Sequence, residues 1–173
     1  MQIPIPTETE KNVTGVDLIV SKSDSRGNII YTNPIFISIS GYTQEELLKK
    51  PHSILRHPDM PKVIFKYLWE NLHAGNDVIA YVKNLCKDGS YYWGLSTVAT
   101  LNNPDGSFDN FTSIREPITQ TAKKSISEFY ANLLYIQNNE DMESSEEYFD
   151  NYLQQKNIHN IDEYNQFMQN LNS

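Results

Sequence analysis

Every one of the seven glycines and eight prolines in this chain of 173 residues lies at or before Pro117. Glycine and proline supply tight turns and stop helices, so the region up to Pro117 can fold as strands and short helices, while little beyond it interrupts a helix. Charge divides at the same place. Residues 1–118 carry eleven Lys or Arg against thirteen Asp or Glu, whereas residues 119–173 carry three against nine. The division predicts an N-terminal cap at 1–13, a sheet-and-turn domain at 14–118 and a helical extension at 119–173.

Within the first region, residues 16–24 (VDLIVSKSD) and 29–33 (IIYTN) read as two short strands joined at Gly27-Asn28, a pair suited to positive backbone dihedrals. From Pro34 the period changes. Ile35, Phe36, Ile39, Leu47 and Leu48 mark short helical turns broken at Gly41, and Thr43 with Glu46 is a capping-box pattern. Met60, Val63, Ile64, Tyr67, Leu68 and Leu72 recur at three and four, which predicts a longer helix over Asp59–His73, with Gly75 ending it. Strands follow at Val78–Leu85, Tyr91–Leu101 and Asp109–Arg115, with turns at Lys87-Asp88-Gly89-Ser90 and Asn103-Pro104-Asp105-Gly106. The prediction is an α+β fold: a five-stranded antiparallel sheet with short helices on one side, loose enough to enclose a cavity, and a C-terminal helical extension.

In that extension Ile126, Phe129, Tyr130, Leu133 and Leu134 form one apolar stripe, Tyr148, Phe149, Tyr152 and Leu153 a second, and Tyr164, Phe167 and Met168 a third. Residues 137–147 read as a link between the first two. Helices this short need something to pack on: one another, the sheet, or a second copy of the chain.

With 14 Lys and Arg against 22 Asp and Glu, the formal charge is -8 and the cations are not clustered, which disfavours nucleic acid as a partner. The single cysteine, Cys86, forms no intrachain disulfide, and no Cys and His set has metal-ligand spacing, so a reducing compartment is expected. The N-terminal residues lack a signal-peptide pattern, and no apolar run approaches the roughly 20 residues needed to span a bilayer. A soluble, cytoplasmic protein is the expectation. Neither a GxSxG motif nor a glycine-rich phosphate loop is present, and Glu45-Glu46 and Glu146-Glu147 sit in surface-like contexts, so no enzymatic activity is expected.

The densest polar cluster is residues 51–61, PHSILRHPDMP. In one reading Arg56 and Asp59 lock a turn by ion pairing while His57 caps a helix. In the other, Pro58 and Pro61 fix the backbone so that Arg56 and His57 project at a bound planar or anionic group. Asn33 either caps a helix or presents its amide to the same cavity. Trp69 and Trp93 suit either core or pocket, and alternation places Tyr91 with Trp93 on one face of the strand and Tyr92 with Gly94 on the other.

Residues 24–61, DSRGNIIYTNPIFISISGYTQEELLKKPHSILRHPDMP, together with 82–93, VKNLCKDGSYYW, resemble a PAS domain of the aerotaxis-receptor type over about residues 14–118. The combination NPxFxxxSGYxxEEL followed by RHPDMP carries the resemblance. It implies non-covalently bound FAD between sheet and helices, and a flavin redox state passed to a chemotaxis signalling protein or receptor. On matching positions it implies flavin-binding roles for Asn33, Arg56, His57 and Asp59, and places Trp69 near the pocket. The chain departs from the family in having Val78, after Gly75-Asn76-Asp77, where GxPW is usual, and Leu85-Cys86 in place of a basic pair. Loss of an indole at the cavity mouth favours weaker FAD, another ligand or none. The alternatives are therefore a PAS interaction module without a tightly held cofactor, or a haem gas sensor using His52, His57 or His73. A homodimer is a further expectation, and residues 119–173 are either a docking element or a cap over the sheet.

Overall fold

A computed structural model describes residues 4–15 and 18–173. Its five strands, β1 (Ile19–Ser23), β2 (Ile29–Thr32), β3 (Val78–Leu85), β4 (Tyr91–Asn102) and β5 (Phe108–Glu116), form one antiparallel sheet ordered β2-β1-β5-β4-β3. The predicted start of the first strand includes Val16 and Asp17, which lie outside the described residues. Residues 9–11 run beside the start of β4, where Tyr91 N–H donates to the Thr9 carbonyl and Lys11 N–H to that of Tyr91.

The helices between β2 and β3 begin where the sequence supplies caps. Asn33 caps α1 (Pro34–Ser40) by accepting from Phe36 N–H, and Gly41, at a φ of 73°, ends it in the left-handed conformation. Thr43 and Glu46 form the reciprocal capping box of α2 (Gln44–Leu47). A 3₁₀ turn (His52–Leu55) leads to α3 (Lys62–His73), which starts three residues later than its apolar period suggests. The reason is Pro61, which occupies the N-cap itself, in extended conformation, so that Asp59 stays in the preceding turn.

The extension forms α4 (Gln120–Asn139), α5 (Met142–Gln155) and α6 (Ile161–Leu171). The expected link at residues 137–147 shrinks to Glu140-Asp141, with Asp141 capping α5. Its polar residues continue two helices on their solvent faces, which hydropathy alone reads as loop. The extension packs on the outer face of the sheet at β3 and β4. The Tyr81 hydroxyl donates to the Met168 carbonyl, the Tyr81 carbonyl accepts from the Tyr130 hydroxyl, and Trp93 lies 6.2 Å from the Tyr130 ring. Asn165 completes the edge of β3, accepting from Ile79 N–H at 2.8 Å and donating to the Asp77 carbonyl at 2.8 Å. Phe129 and Tyr152 stack at 3.8 Å between ring centroids inside the helical layer. Among the described residues no helix is long and apolar enough to cross a membrane.

Candidate functional site

Between the inner face of the sheet and α3 lies a cavity of about 470 Å³, within the range of small-molecule sites. Strand alternation sets one wall. Pairing of Ser96 with Arg115 and of Ser113 with Ser21 puts these four side chains on the inner face, with Val82 and Asn84 beside them on β3. The opposite wall is apolar: Phe65, Leu68, Trp69 and Leu72 of α3. Trp69 reaches the cavity because Gly27 lets it approach. A Cβ at Gly27 would sit 2.9 Å from the indole, and the backbone there has a φ of +78°.

The sheet wall is rich in unused hydrogen-bonding capacity. Arg115 is 4% exposed and donates from Nη1 to Ser21 Oγ at 3.2 Å and from Nη2 to His52 Nε2 at 3.1 Å, while its Nε has no partner. No carboxylate pairs with it among the described residues, so this cation is buried among neutral groups beside the Phe36 ring. Gly94 makes room for it: a Cβ there would meet Arg115 Cβ at 3.3 Å. Burial and then the adjacent guanidinium push the His52 pKa down to about 3, leaving a neutral imidazole. With Nε2 unprotonated, it also accepts from the Ser21 hydroxyl at 2.9 Å. Asn84 Nδ2 is buried and unpartnered, and Ser96 and Ser113 share one hydrogen bond of 2.8 Å. Buried donors without acceptors cost free energy, so this wall is complementary to a planar group that presents carbonyl or anionic acceptors.

Charge at the rim agrees. Arg26, Arg56, Lys62 and Lys66 line the cavity, and no Asp or Glu does so among the described residues, in a chain whose acids outnumber its bases. Lys66 is paired with Glu146 at 2.6 Å, which leaves Arg26, Arg56 and Lys62 to face a bound anion.

A protein-family model described as the PAS fold matches residues 29–115. The chain belongs to the PAS fold family. Among relatives of this PAS domain, the aerotaxis receptor of Escherichia coli K12 is 32% identical over 127 residues, 72% of this chain and 25% of the receptor. The nitrogen fixation regulatory protein of Klebsiella oxytoca is 26% identical over 107 residues, 62% of this chain and 22% of that protein. The chain thus spans about a quarter of the length of these curated relatives. A light-oxygen-voltage domain from a flavin-analogue study superposes with a TM-score of 0.56 at 22% identity, over 66% of this chain and 86% of that one. The light state of the aureochrome1 blue-light photoreceptor domain does so at 0.53 and 19%, over 67% and 88%. At these identities the likeness is one of fold.

The residues singled out from sequence do not all meet in this PAS cavity. Arg56 and Trp69 line it. Asn33 does not: its amide is consumed at the α1 cap, accepting from Val20 N–H at 3.1 Å and donating to the Leu18 carbonyl at 2.7 Å. Asp59 faces solvent and pairs with Lys83 at 2.6 Å rather than with Arg56, whose guanidinium lies 4.1 Å over the Phe65 ring. His57 caps no helix. It turns to the other side of Arg56, where its Nδ1 accepts from Asp59 N–H at 3.1 Å and its ring meets Tyr91 edge-on. Val78, at the position of the family's tryptophan, is fully buried and does not line this cavity. Trp93 faces the extension, which puts Tyr92 and Gly94 on the inner face. Arg115, Asn84, Ser21 and Ser96 were not visible as site residues from sequence, because only the register and the choice of inner face bring them together; His52, which the sequence offers as an iron ligand, instead takes part in this polar wall.

Proposed function

We propose that this PAS domain is a flavin-binding redox or oxygen sensor that relays the state of its ring to a chemotaxis signalling partner. The unpartnered donors of Asn84 and Arg115, on the polar wall facing the α3 indole, carry this reading. A flavin supplies a redox-active ring with carbonyl and ring-nitrogen acceptors along one edge and an apolar face for Trp69. In this chain Asn84 and Arg115 donate to that edge, Ser96 and Ser113 adjust by hydroxyl rotation, and α3 excludes water from the far face. The histidines suit iron less well: His52 Nε2 is held by Ser21 and Arg115, and His73 stacks on Trp69. We read the domain as non-catalytic, since among the described residues no free base stands beside the ring site.

The route outward is short. Val82 and Asn84 face the cavity on β3, and Tyr81, next to Val82 on the same strand, holds both α4 and α6 from the other face. A change in what Asn84 must satisfy therefore bears on the strand that seats the extension. The reading is tested by reconstituting purified protein with excess flavin and recording its spectrum after desalting. A structured flavin band at one equivalent per chain supports it, whereas colourless protein rejects it.

A further inference from the structure

The helical extension does more than cover the outer face of the sheet; it also reaches the cavity on the inner side. Among the described residues that line the cavity, Met142, at the start of α5, is the one the extension contributes. It lines the cavity together with Lys62, Phe65 and Lys66, which share with Trp69 one face of α3 at spacings of three and four. The Lys66 side chain is 45% exposed, so this end of the cavity opens to solvent.

Two polar contacts tie the corner between α4 and α5 to α3. Pro61 gives α3 no side-chain cap, and Lys62 N–H donates instead to Gln137 Oε1 of α4 at 2.9 Å. Lys66 Nζ pairs with Glu146 of α5 at 2.6 Å. The corner is otherwise loosely held. No residue between Leu133 and Ser145 is buried, whereas at its base Ser145 is fully buried and donates its hydroxyl to the Leu133 carbonyl at 3.1 Å. Both tying contacts lie at the surface, where water takes over each partner when the corner lifts, so opening strands no buried polar group. Met142 suits a moving part: an unbranched side chain that changes rotamer without strain. The low-stability end of a fold is where such local opening occurs.

We propose that this corner is the lid of the central cavity: Met142 closes its mouth, the Lys62–Gln137 and Lys66–Glu146 contacts latch it, and a ligand enters and leaves between α3 and α5 when the latch opens. The lid is a property of the cavity whatever fills it; only the ligand rates in its test rest on the flavin reading. It gives residues 119–173 a second role beside that of seating on β3, since the segment that receives a change at the ring through Tyr81 also controls access to the ring.

The test alters the latch and leaves the cavity wall in place. Glu146→Lys sets a cation against Lys66, and adding Lys66→Glu restores the pair with its signs exchanged. In a ligand-free Trp93→Phe background, where Trp69 is the remaining tryptophan, quenching by acrylamide reads access to the cavity with an uncharged probe. The quenching constant is expected to rise at least about twofold in Glu146→Lys and to return in the double variant. Stopped-flow mixing with flavin is expected to show association and dissociation both faster by about three- to tenfold in Glu146→Lys, with affinity within about twofold and the dissociation rate restored in the double variant. Unchanged quenching, a rise the double variant does not reverse, or faster association without faster dissociation, which is charge steering alone, would overturn the lid. Rescued quenching in a protein that binds no flavin would keep the lid and reject the flavin reading instead.

Discussion

Arg115 is buried with neutral partners only, so its replacement by methionine separates two quantities that most core changes lower together. In the ligand-free protein the change removes two hydrogen bonds from a charged donor, worth about 1.5–3 kcal/mol each. It also removes the desolvation penalty of a buried cation, several kcal/mol by the same kind of reckoning. Ser21 and His52 keep their own bond of 2.9 Å, so no new orphan is created. The expected result is a ligand-free stability unchanged or raised by up to about 4 kcal/mol, as when buried ionic groups give way to apolar ones. Flavin binding should move the other way. Loss of one charge-assisted bond to the ring, about 1.5–3 kcal/mol, weakens it roughly tenfold to a hundredfold. Urea unfolding of the ligand-free protein reads the first quantity and a flavin titration the second. A variant destabilised by more than about 2 kcal/mol with unchanged flavin affinity would refute the reasoning, because Arg115 would then be a structural residue.

Three further outcomes are expected. Gly27→Ala combines a positive φ of 78° with a clash on Trp69, and should cost at least about 1–2 kcal/mol in urea unfolding while weakening flavin binding, since the indole must leave its place. His52 has a folded-state pKa lowered to about 3, so between its ordinary value near 6.5 and that point the unfolded chain binds the extra proton. Stability should therefore fall as pH drops through this window, by up to about 1.4 kcal/mol per pH unit, and His52→Gln should flatten that part of the profile. Asn165→Ala leaves the Ile79 N–H without its acceptor, and should cost about 1–3 kcal/mol and speed hydrogen exchange at Ile79 and along α6 without altering flavin affinity.

How much of this was legible in sequence differs by scale. Turns and caps are local, so Gly41, Thr43 with Glu46, and the hairpins at Gly89 and Gly106 announce themselves within four residues. The inner wall is not local. β3 is buried along nearly its whole length because α3 covers one face and the extension the other, so no apolar and polar alternation marks which face is inward. Arg115, at the end of β5, has no sequence neighbour that signals burial; its place follows from pairing with Ser96 and Ile19. The RHPD segment reads as one cluster because its residues are consecutive, yet an extended backbone at Arg56 sends Arg56 and His57 to opposite sides. The helical extension was legible as helices and stripes, but its contact with Tyr81 joins residues 49 and 87 positions apart.

The most direct measurement uses the two tryptophans. Trp69 lines the central cavity and Trp93 faces the extension, so in a Trp93→Phe protein the emission comes from the cavity indole. A flavin seated between α3 and the Arg115 wall predicts quenching of that emission, saturating at one flavin per chain, and loss of the quenching response when Trp69 is replaced instead. Flavin that binds without changing Trp69 emission, or an emission that no flavin alters, would contradict a ring site in this cavity.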